Sequence, residues 1–125
     1  MVKSIIYTAA AIALCAALFI FTEHFVKTQF GEVERAASAL YEKVESGDAT
    51  EGDAQAVYGL WEQKKSRLHI FIPHNDIAQL DYYLGEAGGH IRNGENKEAL
   101  AKLEVVKRMA ASLPSAYAVK LENIF

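Results

Sequence analysis

Nineteen consecutive residues, Ser4 to Thr22, carry no charge: SIIYTAAAIALCAALFIFT. A run this long has few ways to leave water. As a helix rising about 1.5 Å per residue it extends roughly 28 Å, close to the roughly 30 Å hydrocarbon core of a bilayer. The buried helix of a globular domain fits poorly, because the run is apolar on every face rather than along one stripe. A cleaved leader headed by Met1-Val2-Lys3 is the other reading. Cleavage calls for small residues just after the apolar core, where this chain has Phe21-Thr22-Glu23-His24-Phe25. Cys15 follows Leu14, so the small residue expected before a lipoprotein-type cysteine is missing. The expectation is an uncleaved single-pass anchor over residues 1–27, with Cys15 behaving in lipid as a small hydrophobe. Ala9, Ala10, Ala11 and Ala13 allow close helix contact there, which leaves a homo-oligomer open.

Orientation follows from the flanking cations. Lys3 and the amino terminus lie on the short side. Lys27 and Arg35 lie beyond the span, among Glu23, Glu32 and Glu34. Counting Lys and Arg near the membrane places the N-terminus inside and residues 28–125 on the extracytoplasmic side, by a narrow margin.

Residues 28–125 read as one all-α domain. Phe30, Val33, Ala37, Leu40 and Val44 recur at spacings of three and four, continuing from the anchor. Ile77, Leu80, Leu84, Ala87 and Ile91 repeat the pattern, as do Ala99, Leu103, Val106, Ala110 and Leu113. A looser stripe joins Val57, Leu60, Trp61, Leu68 and Phe71. These are amphipathic helices, and no stretch alternates with period two long enough for a strand. The breaks are a glycine-bounded turn, Gly47 to Gly52, with Asp53 as N-cap, then Pro73 with Asn75 or Asp76 capping the next helix, then Asn93-Gly94-Glu95 before Asn96. Pro114 is expected to close the fourth helix and leave a short C-terminal one, Ser115 to Ile124. Short connections make neighbours antiparallel, giving a bundle of four helices plus that short one. The segment around Val44, Gly47 and Leu60 is echoed around Ile91, Gly94 and Leu103, like two tetratricopeptide-style hairpins, though two units fall short of a solenoid.

The layout resembles the bacterial family built on domain of unknown function 4363. The resembling features are the short N-terminal anchor, Trp61 followed by a basic stretch, Phe71-Ile72-Pro73-His74 opening a helix with Ile77, and the closing Leu121-Glu122-Asn123-Ile124-Phe125. The glycines at 85, 88 and 89 depart from that pattern and put the straightness of the third helix in question. The resemblance implies a small membrane-anchored protein of spore-forming bacteria and their relatives, without assigned catalysis. It also implies a multispanning membrane protein as partner.

Chemistry is sparse. A net charge of −3 leaves no basic face for nucleic acid. A single cysteine can form neither an internal disulfide nor a multi-cysteine metal site. His69 and His74 are five apart with Pro73 between them, off the spacing that puts two ligands on one helical face. Glu86 and His90 are four apart, but two ligands do not make a structural zinc site. No serine has the base and orienting group that a nucleophile requires. Gly85-Glu86-Ala87-Gly88-Gly89 lacks the Lys-Ser/Thr of a phosphate loop and follows no strand. No cofactor, metal site or catalytic group is therefore expected.

The informative pattern is positional. If the first helix leaves the membrane, the second returns, and its end carries Lys64, Lys65 and Arg67, then Ile70, Phe71, Ile72 and His74. The fourth helix returns likewise with Lys107 and Arg108. These groups are candidates to face lipid headgroups or a membrane partner. The competing reading is local: cations are favoured at helix C-termini anyway, and Phe71 and Ile72 suit a core. The expected function is that of a non-enzymatic accessory protein docking its helical domain onto a membrane partner. The alternative is a ligand- or metal-sensing domain around Trp61, Tyr82, Tyr83 and His74.

Overall fold

The computed structural model describes the backbone of residues 1–124 and the side chains of residues 1–117. Four helices follow in order: α1 (Val2–Ser46), α2 (Glu51–Leu68), α3 (His74–Arg92) and α4 (Asn96–Ile124). Among the described residues there is no strand. Each helix packs against its sequence neighbours and α4 closes on α1, so α1 beyond residue 25 and the other three form a four-helix bundle.

The apolar segment and the first bundle helix are one helix. Its 45 residues run without interruption, about 68 Å at the α-helical rise. The apolar N-terminal part is exposed on all sides, and burial begins at Val26. From there Val26, Phe30, Val33, Ala37, Leu40 and Val44 line the core. Residue 27 is thus no structural break.

The expected stripes supply the rest of the core. All five residues expected of α3 are buried, as are Ala99, Leu103, Val106 and Ala110 of α4. On α2 the pattern is thinner. Trp61 and Leu68 are fully buried, Val57 and Leu60 only half-buried, and Ala54 takes a core position instead. Trp61 packs its ring 6.5 Å from that of Phe30, joining α1 to α2 at the centre.

The turns use more specific chemistry than the sequence pattern indicated. Gly47 adopts φ 81° and ends α1, with its N–H bonded to the Val44 carbonyl and the Asp48 N–H to that of Lys43. Gly94 repeats this at φ 74°, with bonds from Gly94 to Ile91 and from Glu95 to His90. Both are Schellman turns, which need a residue that tolerates the left-handed region. The resemblance between the two segments thus includes the same helix-ending device. Thr50, not Asp53, is the N-cap of α2. Thr50 Oγ1 accepts from the Asp53 N–H at 3.2 Å, and Asp53 Oδ2 accepts from the Thr50 N–H at 3.0 Å, a reciprocal capping box. Pro73 occupies the N-cap of α3 without any side-chain cap, so neither Asn75 nor Asp76 serves there. Asn96 is already inside α4, whose first turn bonds the Ala99 N–H to the Glu95 carbonyl.

A further expectation is corrected. Pro114 lies inside α4, and Ser115 to Ile124 continues that helix instead of forming a fifth. Proline in a helix interior removes a hydrogen bond and crowds the preceding turn, at about 3 kcal/mol. Tertiary contacts at and beyond it hold the continuation: Pro114 and Tyr117 both face the root of α1, and Tyr117 donates its hydroxyl to Asp76 of α3. The glycines at 85, 88 and 89 leave α3 uninterrupted. A Cβ at Gly88 would meet Ala54 at 3.9 Å, ordinary contact, so close packing does not demand glycine there. Phe125 lies outside the described residues.

Candidate functional site

The bundle has two unlike ends. Both Schellman turns lie at the distal end, with the exposed acids Glu42, Glu45, Asp48, Glu51 and Glu95 among them. Lys43 bridges to Asp53 at 3.0 Å and Arg92 to Glu51 at 3.8 Å, so part of that charge is paired across helices. The Asp53 carboxyl is held below the usual carboxylate range, first by the Thr50 backbone hydrogen bond and then by Lys43.

The root end, where α1 leaves the bundle toward the apolar segment, is built by the α2–α3 corner. The N–H groups of Phe71 and Ile72 both bond to the Leu68 carbonyl, at 2.9 and 3.0 Å, which folds the corner back under α2. Ile72 points into the core at 3% exposure, and Ile70 stands out at 74%. Phe71 is intermediate between them, with its ring 5.8 Å from that of Phe25, which in turn stacks 6.2 Å from Phe21. Thr22, Glu23 and Val26 of α1, Ile70 to Ile72 of the corner, and Pro114 and Tyr117 of α4 line a groove of 250 Å³. The Tyr117 hydroxyl donates to Asp76 in the first turn of α3. Burial and that hydrogen bond push the phenol up to about 12. Three elements are therefore locked to the root of α1.

The expected basic face is largely committed inside the bundle. Lys64 is paired with Glu32 of α1, with only 11% of its side chain exposed. That contact holds the Glu32 carboxyl below the usual range. Lys65 reaches Glu62 at 2.8 Å and Asp81 at 3.4 Å, and these hydrogen bonds raise its ammonium despite opposing desolvation. Arg67, Ile70, Phe71 and His74 remain exposed. Lys107 lies 4.4 Å from the centre of the Tyr41 ring, and Arg108 bonds Glu104 at 3.3 Å. Since α4 runs on past Pro114, neither cation marks its end.

Asp81 is the residue that sequence reasoning missed. One of its carboxylate oxygens accepts from Trp61 Nε1 at 3.0 Å, Tyr58 OH at 3.2 Å and Lys65 Nζ at 3.4 Å. It satisfies the polar edge of the fully buried Trp61 ring and fixes α3 against α2, while burial, then its charge, raises the Tyr58 phenol. Nothing along the chain marks Asp81 apart from other surface acids on a helix. Phe25 was equally unmarked, since its partner is 46 positions away.

The histidines do not assemble. His69 and His74 line an open groove of 390 Å³ with Lys65, Ser66, Asp81 and Tyr82. His90 stands near Glu95 at 3.4 Å, and Glu86 pairs with Lys102 instead. Among the described residues no three metal-ligating side chains come together. Tyr82 and His74 share that groove, but Trp61 is buried in the core and Tyr83 lies under Lys102.

The architecture defines a four-helix bundle carried on one long helix whose exposed, apolar first part is compatible with a membrane anchor. The family model for a domain of unknown function, DUF4363, matches residues 20–124, and the chain belongs to that family. The match begins within the apolar run, so it is the bundle and the root of α1 that carry it. No curated protein and no solved structure matches.

Proposed function

We propose that this protein is a non-enzymatic accessory protein of the membrane. The first part of α1 is a single span, the bundle lies on the extracytoplasmic side, and the root end docks onto a multispanning membrane partner. The observation that carries this reading is the clustering of exposed Ile70, Phe71 and Arg67 at the point where α1 leaves the bundle. An apolar corner beside a cation, held level with a membrane exit, is suited to recognition at a bilayer surface. Within the face expected from sequence, Arg67, Ile70, Phe71 and His74 are the members free to bind, whereas Lys64, Lys65 and Ile72 support them from inside.

The test is a photo-crosslinker at position 67 of the full-length protein, in native membranes, with mass spectrometry. One stoichiometric multispanning protein is the expected product, and Arg67→Glu should deplete it. Recovery of the protein alone, or crosslinked only to itself, sinks the docking reading. A second reading, a ligand-sensing domain, draws on the groove between His69, His74 and Tyr82. A thermal-shift scan with metals and small metabolites tests it, and no stabilisation counts against it.

A further inference from the structure

We propose that Ile70 and Phe71 form a second membrane contact, inserting into the headgroup boundary of the same bilayer that α1 enters. The inference rests on reading the first part of α1 as a span, and it divides the root end: the corner meets lipid, and its polar flank is left for a protein.

Depth is set by the helix. The uncharged run ends at Thr22, and Glu23 is the first acid. The corner shares its groove with Thr22, Glu23 and Val26, and Phe71 packs on Phe25. Ile70 and Phe71 are thus level with the turn of α1 that crosses from hydrocarbon to headgroups. They cannot swing away, because Ile72 is buried, the corner backbone is bonded to Leu68, and Tyr117 ties α4 to the start of α3.

Exposure agrees with depth. Among the described residues, the large apolar side chains exposed outside the N-terminal apolar segment are Ile70, Phe71 and Tyr82. Two of these three fall on one corner, in the groove it shares with the root of α1. Exposed Arg67, three residues before Ile70, suits anionic headgroups, with Glu23 in the corner's groove and Glu32, whose carboxyl feels the Arg67 charge, the nearby acids. A single helix lets a domain rotate and tilt about its exit. A lipid contact on the α2–α3 side removes that freedom and presents one constant face of the bundle to a partner.

The experiment uses the full-length Cys15→Ala protein in phosphatidylcholine–phosphatidylglycerol vesicles, carrying one environment-sensitive fluorophore on Ile70→Cys, Leu14→Cys or Glu45→Cys. The expected result is a blue-shifted label at position 70, quenched several-fold more strongly by shallow spin-labelled lipid than the label at 45. Phe71→Ser should reverse much of that shift. A label at 70 as wet and unquenched as the one at 45, with the label at 14 quenched by deep spin-labelled lipid, overturns the lipid contact and leaves the span intact. Crosslinking of that wet corner to a protein in native membranes would assign it to the partner instead. An unquenched label at 14 overturns the span and the inference together.

Discussion

The two parts of α1 share one backbone and differ in how their apolar side chains are distributed around it. Between Val2 and Phe21, no side chain of this helix is buried. Between Val26 and Val44, burial falls on one stripe, Val26, Gln29, Phe30, Val33, Ala37, Leu40 and Val44, while the residues off it are partly or wholly exposed, among them Glu32, Glu34, Arg35 and Glu42. Helix formation is the same in both parts, so the change in pattern reports what lies around the helix. A stripe means protein on one side and water on the other. An all-round apolar surface is compatible with a surrounding that is itself apolar, such as a bilayer core.

The largest expected effect comes from equal truncations on either side of that boundary. Phe30→Ala should cost the bundle about 3–5 kcal/mol, as for other fully buried aromatics, and lower the melting temperature in detergent accordingly. Ile12→Ala should leave that melt unchanged. Equal losses would mean that the apolar segment folds back onto the bundle.

Next in size is a charge in the middle of the segment. Leu14→Arg should disfavour insertion by about 2.5–3.5 kcal/mol and shift the protein from the membrane pellet to the supernatant after alkaline extraction. Unchanged retention would show that the segment is not what holds the protein in the membrane.

Smaller effects sharpen the bundle side. Thr50→Ala removes one half of the capping box and should lower stability by about 1 kcal/mol in urea titration. Gly88→Ala should raise stability by up to about 1 kcal/mol, since the added methyl meets Ala54 at an ordinary distance and alanine favours helix. A loss at Gly88 would instead reveal that α2 and α3 pack more closely than their separation here.

The pH dependence has a defined sign. The Tyr117 phenol is raised from its ordinary 10.0 to about 12 in the folded protein, so the fold binds its proton more tightly than the unfolded chain does. Its contribution is complete below pH 10.0 and is lost as pH rises toward about 12. The melting temperature should fall across that window, and Tyr117→Phe should flatten the fall.

Much of this molecule was legible in local periodicity. The uncharged run, the all-helical class and three of the four core stripes depend on spacings within a few turns, which a chain displays before it folds. The α2 stripe was read less well, because a four-helix bundle lets Ala54 substitute for larger residues where α3 approaches. The site was legible only in part. Cations at the end of α2 were evident, but Glu32 and Asp81 draw Lys64 and Lys65 inward from other helices, and Arg67 remains exposed.

By itself the sequence determined that a long apolar helix leads into an acidic bundle of amphipathic ones, because hydrophobic spacing and turn residues act over short range. Only the tertiary structure decided that α1 passes unbroken from the apolar segment into the bundle, that α4 survives Pro114, and that Phe71 comes to rest on Phe25. Each of these depends on groups brought together from distant positions. Their energies arise when the helices close on one another, and no pattern along a single helix records them.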